Sequence, residues 1–309
     1  MKVGIAQYVG SYAELDRQID YTSISDDPEN YHRCVARERT LELEACREMG
    51  VPCFLILDSS NQSRFHISGY GAQNSLTRFT IADLDRNPVK SLSGYRLLLR
   101  SNVSNERYPL QFIESLRGTN IADWASQQRT LEWYKHVRPE FLKRRLSSFP
   151  LAQALAMRFE EYKDTNGLFF AKTNFKVQGC AGLTADLIML LGYNVEMMPD
   201  STDVIVSEPL SLLSDSRGKL EYRCYVVNRR VSTISRYIDY DTDYVVPPAV
   251  FKFADSFVVA HQESLPACYV LDVVESDRGV VVIEINGIVA SGRYERNCFR
   301  KLLDDLRAG

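Results

Sequence analysis

The sequence predicts an α+β protein in which an N-terminal α/β region precedes a larger region with antiparallel sheets. Three patterns indicate this class. A strand, a helix and a second strand follow one another within residues 1–58, two hairpins of apolar strands lie after residue 220, and segments with helical spacing separate the strand groups. Parallel and antiparallel pairs in different parts of one chain are typical of α+β architecture.

The N-terminal region begins with a predicted β-α-β unit. The first strand is "MKVGIAQY", and the apolar residues of the following segment recur at helical spacing until Gly50, which is a natural helix stop. The buried strand "VPCFLILD" comes next, and the two strands are expected to pair in parallel. Residues 59–120 are less regular, although "YRLLLRSNV" is predicted to form another strand.

The second region changes from helices to hairpins. Helical patterns are expected over residues 120–149 and in "LAQALAMRFEEY". The remaining predicted elements are, in order, the strand "LFFAKTNF", the helix "LTADLIMLLGY", the strand "DVIVSEPL", the hairpin "EYRCYVV" with "VSTISRYI", the helix "VFKFADSFVVAHQES", the hairpin "ACYVLDVV" with "VVVIEING", and the helix "RNCFRKLLDDLRA". A length of 309 residues suits two domains, which we place at residues 1–120 and 121–309.

Composition limits the class of function. The chain is 45% hydrophobic and 25% charged, as in an ordinary soluble globular protein, and its net charge of −3 gives no reason to expect a nucleic acid partner. The seven cysteines include no CxxC pair and the four histidines are scattered, which argues against a disulfide framework and a structural zinc site.

The N-terminus lacks the apolar core of a signal peptide, and no run approaches the roughly 18 apolar residues of a membrane span. We therefore expect a cytoplasmic protein without a membrane partner. The sequence leaves the oligomeric state open, with a homodimer among the alternatives.

Three polar residues interrupt the last predicted hairpin. Glu284 and Asn286 are two positions apart on one strand and therefore share a face, and the antiparallel partner strand carries Asp272 among apolar neighbours. Two adjacent carboxylates repel each other, and a divalent cation removes the conflict. Oxygen ligands of this kind suit Mg²⁺ with phosphate oxygens as further ligands. The alternative, that this strand face is simply solvated, stays open at this point.

Four cations accompany these groups: Lys172, Lys176, Arg223 and Arg236. A single charge in an apolar strand usually snorkels or pairs at the surface. Four of them beside metal-type ligands indicate nucleoside triphosphate chemistry, because such chemistry needs cations on the phosphates. The sequence has no GxxxxGK[ST] P-loop and no GxGxxG after its first strand, so neither a Walker-type nor a classical dinucleotide site is supported.

The order of these elements resembles the ATP-grasp superfamily, most closely the branch marked by one arginine and two lysines. The matching segments lie within about residues 165–305 and are, in order, "FFAKTNFKVQGCAG", "DVIVSEPL", "EYRCYVVNRRVSTISRY", "CYVLDVV" and "VVVIEINGIVASGRY". The resemblance implies a pre-ATP-grasp-like N-terminal α/β domain, followed by an ATP-grasp domain of two α+β subdomains with antiparallel sheets.

The resemblance also implies which residues contact the nucleotide. Lys172 and Lys176 would contact the phosphates of ATP or the adenine side. The segment "SEPL" resembles the hinge that reads adenine through its backbone, and it comprises Glu208, Pro209 and Leu210 after a serine. "QGCAG" would be the mobile glycine loop over the phosphates, although it has only two glycines.

The remaining implied roles concern the reacting groups. Glu221 would approach the ribose or a second metal ion. Arg223 and Arg236 resemble the clamp on the phosphate and the acyl phosphate. The implied Mg²⁺ ligands are Asp272, Glu284 and Asn286.

These implied roles predict an enzyme, namely an ATP-dependent carboxylate–amine ligase that uses ATP and Mg²⁺. Its expected substrates are small-molecule or peptide carboxylates and amines, joined through an acyl-phosphate intermediate. Two alternatives remain: an ATP-grasp phosphotransferase that acts on a hydroxyl, and a nucleotide-binding module without catalysis. Release of free phosphate in the presence of an amine separates the first alternative from the ligase, and any turnover excludes the second.

Overall fold

The structure is a computed structural model, and it describes residues 2–10, 40–58, 79–99, 113, 115, 116, 120, 121, 136–173, 181–199, 202–237, 244–288 and 296–308. The strands are β1 (Lys2–Gly10), β2 (Cys53–Asp58), β3 (Phe79–Ala82), β4 (Tyr95–Leu99), β5 (Asn120–Ile121), β6 (Leu146–Pro150), β7 (Phe169–Thr173), β8 (Ala181–Thr184), β9 (Asp203–Ser207), β10 (Ser214–Asp215), β11 (Gly218–Lys219), β12 (Glu221–Val227), β13 (Arg230–Arg236), β14 (Tyr269–Ser276) and β15 (Gly279–Asn286). The α-helices are α1 (40–49), α2 (Pro139–Leu142), α3 (Leu151–Leu155), α4 (Leu187–Leu191), α5 (Pro248–His261) and α6 (Arg296–Ala308), and 3₁₀ turns occur at Glu160–Tyr162 and Gly192–Met197.

Residue contacts divide the chain into two units. Unit 1 consists of Met1–Gln128, Ile238–Tyr244 and Gly287–Gly309, and unit 2 consists of Arg129–Tyr237 and Val245–Asn286. The domain boundary expected at residue 120 stays a prediction.

Unit 1 contains a five-stranded sheet in the order β3-β2-β1-β4-β5. β1 pairs in parallel with β2 and β4, β4 pairs in parallel with β5, and β3 is antiparallel to β2. The central strand fits closely between its neighbours because Gly4 has no side chain. A Cβ atom at Gly4 would lie 2.9 Å from the ring of Phe54 and 3.3 Å from Leu97.

Two of the helices that the structure describes, α1 and α6, belong to unit 1. α1 ends before Gly50 as predicted, and the φ angle of +61° at this glycine is one that side chains rarely adopt. α6 buries Phe299, Leu302 and Leu303, as expected for an amphipathic helix. Arg300 of α6 forms an ion pair with Glu48 of α1.

The first sheet of unit 2 is antiparallel, in the order β6-β9-β7-β8. Asp186 caps the N-terminus of α4. Its carboxylate accepts hydrogen bonds from the backbone N–H groups of Ile188 at 2.7 Å and Met189 at 3.1 Å. The buried residues of this core are Leu151, Ala154, Phe159, Tyr162, Phe169, Ala171, Leu187, Leu191, Met198, Val204 and Val206.

The second sheet of unit 2 is antiparallel, in the order β13-β12-β14-β15. The hairpin β12–β13 turns at Asn228 and Arg229, whose φ angles of +51° and +59° suit the tight turns of twisted hairpins. α5 packs against β12, β13 and β15. The residues that α5 buries are Val250, Ala254, Phe257, Val258 and His261.

The structure confirms the predicted α+β class, including the parallel β1–β2 pair and both hairpins. The helical pattern predicted through Phe149 is wrong for Leu146–Pro150, which forms the edge strand β6. Pairing of β6 with the apolar β9 satisfies its backbone groups and outweighs local helix propensity. The predicted helix "LAQALAMRFEEY" is reduced to α3 and a 3₁₀ turn.

Within the described residues, the helices are all too short or too polar to cross a bilayer.

Candidate active site

The polar residues of the last hairpin lie on one face of the second sheet of unit 2. Asp272 of β14 is directly opposite Arg223 of β12 and directly opposite Glu284 of β15. Opposed residues in antiparallel strands share a face, so these three side chains project together. Phe257 of α5 contacts Tyr269, which is an odd number of positions from Asp272. α5 therefore covers the other face.

A buried ion pair forms the centre of this face. Arg223 donates through Nε to Oδ1 of Asp272 and through Nη2 to Oδ2, both at 2.8 Å. The two residues are only 6% and 1% exposed. Nδ2 of Asn286 donates to the same Oδ2 at 3.1 Å, and the guanidinium lies 4.9 Å from the ring centroid of Tyr237. Two parallel charge-assisted hydrogen bonds fix the orientation of both groups.

A second cation reaches the cluster from the other sheet of unit 2. Nζ of Lys172, on β7, lies 2.5 Å from Oε1 of Glu284. The side chains are 27% and 26% exposed, so this pair is more accessible to solvent than the pair of Arg223 and Asp272. The structure thus brings together five of the predicted site residues, namely Lys172, Arg223, Asp272, Glu284 and Asn286.

Glu221 adds a third carboxylate to the same face, because it lies two positions before Arg223 on β12. Its pKa rises from 4.5 to about 7, first because it is buried and then because of the negative charge of Asp272, with a smaller contribution from Glu284. The positive charge of Arg223 opposes this shift. Three carboxylates therefore face two cations, and the cluster carries excess negative charge when all are ionised.

The chemistry of these donors fits a magnesium ion. Asp272 and Glu284 supply carboxylate oxygens and Asn286 supplies an amide, and a divalent cation would offset the charge that raises the pKa of Glu221. Among the residues that the structure describes, no group of three or more His, Cys, Asp or Glu side chains is arranged to hold a metal. The predicted set is of a different kind, since it combines two carboxylates with an amide.

Arg236 has a different environment from Arg223. Its register partner is Tyr222, whereas Arg223 is opposite Ser235, so the two arginines leave opposite faces of the sheet at this point. Arg236 is 3% exposed and donates to both carboxylate oxygens of Asp215, at 2.9 and 2.6 Å, and to two carbonyl oxygens of β11, at 3.1 and 3.3 Å. This pairing lowers the pKa of Asp215 to about 2.

The predicted hinge follows β9, and the carboxylate of Glu208 in this hinge accepts hydrogen bonds from other residues of the protein. One oxygen of Glu208, Oε2, accepts hydrogen bonds from Nη1 of Arg278 at 2.9 Å and from the backbone N–H of Arg145 at 3.1 Å. These contacts, that of Arg278 foremost, lower the pKa of Glu208. Pro209 and Leu210 follow in partly buried, irregular backbone. Contact of this backbone with adenine stays a prediction.

Lys176 and most of the glycine loop lie outside the described residues, which resume at 181 after residue 173. Gly182 of that loop is in β8. The nucleotide contacts predicted for Lys176 and for the loop stay predictions.

Sequence reasoning missed three residues that contact predicted site residues: Asp215, Tyr237 and Arg278. Asp215 and Arg278 lie in or beside polar turns, where a charged residue ordinarily indicates only solvent exposure. Their partners, Arg236 and Glu208, are 21 and 70 positions away, so no local pattern predicts either pair.

Comparisons with known proteins agree with this architecture. Residues 191–306 match the family described as ATP-grasp domain, R2K clade family 3. No curated protein matches the sequence. The RimK domain protein ATP-grasp from Sphaerobacter thermophilus DSM 20745 has a similar structure, with a TM-score of 0.52, 15% identity, and coverage of 99% of this chain and 100% of that chain.

Two further solved structures are similar over nearly the whole chain. The D-alanine–D-alanine ligase from Coxiella burnetii has a TM-score of 0.54 and 11% identity, with coverage of 99% of this chain and 94% of that chain. The ATP-grasp ligase PsnB, complexed with a minimal precursor, has a TM-score of 0.51 and 14% identity, with coverage of 100% of this chain and 99% of that chain. At sequence identities this low, the structural similarity shows a shared fold and nothing further.

The protein therefore has the fold of the ATP-grasp ligases. Residues 191–306, which are less than half of the chain, match the family described as ATP-grasp domain, R2K clade family 3. The resemblance predicted from the sequence is confirmed for the fold and for residues 191–306.

We predict that Arg223→Ala lowers the free energy of unfolding by about 3–5 kcal/mol, because it leaves the carboxylate of Asp272 buried without its cation. Urea denaturation of the nucleotide-free protein measures this loss. Lys163→Ala is the control, since it removes an ion pair in which Glu160 is 69% exposed and should change stability by no more than about 0.5 kcal/mol. Equal stability of Arg223→Ala and the wild type would contradict the buried pair.

The raised pKa of Glu221 predicts a pH-dependent stability. Between the unfolded value of 4.5 and the folded value of about 7, the folded protein holds a proton that the unfolded chain has lost, so stability falls as pH rises. Glu221→Gln removes this loss of stability. At pH values above the folded pKa, the variant should be more stable than the wild type by on the order of 2 kcal/mol.

Denaturation in a metal chelator at about pH 4 and about pH 8 tests this prediction, and the difference between variant and wild type should appear only at the higher pH. The same difference at both pH values would show that the carboxyl group of Glu221 does not titrate in this range.

Proposed function

We propose that the protein is an ATP-dependent carboxylate–amine ligase that uses Mg²⁺ and forms an acyl-phosphate intermediate. The observation that supports this function is the cluster of Lys172, Arg223, Asp272, Glu284 and Asn286 in an ATP-grasp fold. Phosphoryl transfer requires positioned cations and charge stabilisation rather than a nucleophilic side chain. The cluster supplies cations for phosphates and oxygen ligands for a metal within one unit.

The proposed reaction has two steps. A carboxylate oxygen of the first substrate attacks the γ-phosphorus of ATP, the bond from that phosphorus to the bridging oxygen breaks, and ADP leaves. The nitrogen of an amine then attacks the acyl carbon, the bond to the phosphate oxygen breaks, and inorganic phosphate leaves while the amine loses a proton. The product is an amide.

The side chains would divide this work by charge. Lys172 and Arg223 are held beside Glu284 and Asp272 in the nucleotide-free protein, so their cationic groups are positioned before a nucleotide binds. Arg236 leaves the opposite face of this sheet and is bound to Asp215, so it has no part in this division, and its predicted contact with the transferred phosphoryl or acyl-phosphate group stays a prediction. Asp272, Glu284 and Asn286 would bind Mg²⁺, which neutralises charge on phosphate oxygens.

The proposed substrate class is supported by the names of two similar solved structures. Among the similar structures, one is named a D-alanine–D-alanine ligase and another is an ATP-grasp ligase in complex with a minimal precursor. We propose small-molecule or peptide carboxylates and amines as substrates, and a cytoplasmic location. A screen of amino acids and peptides for ADP and phosphate release would identify the pair and would distinguish ligation from phosphate transfer to a hydroxyl.

We predict that ATP raises the melting temperature only when Mg²⁺ is present, because the excess negative charge of the cluster opposes binding of the bare nucleotide. Ligand that binds the folded state alone stabilises it in proportion to its affinity, so thermal unfolding with ATP in Mg²⁺ and in a chelator tests the prediction. Mg²⁺ without ATP is the control. Stabilisation that is equal in the chelator would argue strongly against a metal in this site.

We predict that Glu284→Gln lowers turnover by about 10²-fold or more, because it removes one negative metal ligand while keeping the size of the side chain. The loss of stability should be small, since the side chain is 26% exposed. The measurement is ADP formation with the substrate pair found in the screen.

The matched control is Glu160→Gln, which makes the same chemical change in an exposed carboxylate paired with Lys163. The control should keep full activity. Wild-type turnover by Glu284→Gln would exclude a catalytic metal at this residue and would favour the solvated strand face.

A further inference from the structure

The hinge segment is attached to the rest of unit 2 on both of its sides. Before the hinge, Glu208 binds Arg278 and Arg145. After it, the N–H of Leu213 donates to the carbonyl of Glu275 at 2.9 Å, and the N–H of Asp277 donates to the carbonyl of Ser211 at 3.0 Å. Pro209 and Leu210 therefore span the short interval between two attached ends.

The attachment at Glu208 is a closed set of hydrogen bonds among three segments. Besides the carboxylate contacts, the N–H of Glu208 donates to the carbonyl of Arg145 at 3.1 Å. Nη1 of Arg278 also donates to the carbonyl of Lys143 at 2.7 Å, and Nζ of Lys143 donates in return to the carbonyl of Arg278 at 3.0 Å. The end of α2, the end of β9 and the β14–β15 turn are thereby joined.

Two of these segments have backbone conformations that allow Lys143 to approach the β14–β15 turn closely. Lys143 has a φ angle of +49° and Gly279 has a φ angle of +81°. A Cβ atom at Gly279 would lie 3.3 Å from Nζ of Lys143, so glycine leaves room for the lysine beside the turn. The close approach depends on local conformations that most residues adopt reluctantly.

We infer that Glu208 is a positioning residue that, with Arg278, holds the backbone of Pro209 and Leu210 in place to read the adenine base. The inference rests on the proposed function and on the contact between this backbone and adenine that the sequence resemblance predicts. The side chain of Glu208 binds protein groups, so it acts on the base through the hinge. Its partner Arg278 lies in the turn of the same hairpin that carries Asp272 and Glu284, so one hairpin supports both base recognition and the proposed metal ligands.

Loss of the Glu208–Arg278 pair should change the recognition of the adenine base rather than the stability of the fold. Glu208 is 29% exposed and Arg278 is 37% exposed, and ion pairs at such positions contribute little to the free energy of folding. Hydrogen bonds to a base, however, weaken steeply as donor and acceptor leave their preferred distance and angle. A small shift of a two-residue hinge therefore reduces the preference for adenine over another purine.

Calorimetric titration of the full chain with ATP and with GTP, both in Mg²⁺, tests the inference. We expect Glu208→Ala and Arg278→Ala each to raise the Kd for ATP about tenfold and the Kd for GTP less than about threefold, so that the preference for ATP shrinks. Glu208→Gln keeps an acceptor for the N–H of Arg145 but loses the charge pair, and should give an intermediate value. If Glu208→Ala does not fold, the other two variants decide the result.

Glu161→Ala is the matched control. It removes another carboxylate near Arg145, at 3.5 Å from its guanidinium, without touching the hinge, and it should leave both Kd values unchanged. Folded variants that keep the wild-type ratio of the two Kd values, or that lose both nucleotides equally, would overturn the positioning role alone. A wild-type protein that binds no ATP would overturn the proposed function, and the inference with it.

Discussion

Asp272 is a carboxylate with 1% exposure in the middle of an antiparallel sheet, and much of unit 2 is organised around this charge. A buried carboxylate needs a cation and hydrogen bonds, because burial without them is costly. Arg223 satisfies the need from the neighbouring strand, and Asn286 does so from the hairpin partner. The register of three strands is thus tied to one ion pair, because a slip by one residue would turn the charges toward the apolar face.

The same constraint explains the two faces of this sheet. α5 covers one face with apolar residues, and the side chains of β14 that meet it alternate with those that face the polar cluster. On the polar face, Lys172 from the other sheet pairs with Glu284. The ion pair of Lys172 and Glu284 therefore joins the two sheets of unit 2.

The sequence predicts the fold well where apolar periodicity is strong. Both hairpins, the parallel β1–β2 pair and the long helices α5 and α6 were predictable because their apolar residues recur with a clear period. β6 was not predictable, because its residues form a strand only through pairing with β9, which lies more than 50 positions later in the chain.

The candidate site likewise has features that local sequence predicts and features that it does not. The i, i+2 spacing of Glu284 and Asn286, and the antiparallel partner strand that carries Asp272, are local, so the sequence was enough to place these residues on one face. Three other features depend on residues far apart in the chain. They are the burial of Arg223, the ion pair of Arg236 with Asp215, and the ion pair of Arg278 with Glu208. Charges in strands and turns give no indication of such partners, and the structure was needed to find them.

The division of the chain into units has a consequence for the order of folding during synthesis. α6 is assigned to unit 1 and contacts both β1 and the end of α1, yet it lies after the last strand of unit 2. A ribosome that has released β1 to β5 has therefore not yet released the helix that completes their packing. Unit 2 can form its cores from residues already synthesised, whereas unit 1 must wait for residues 296–308. We therefore expect the packing of the N-terminal sheet to be completed last, after unit 2 has been synthesised.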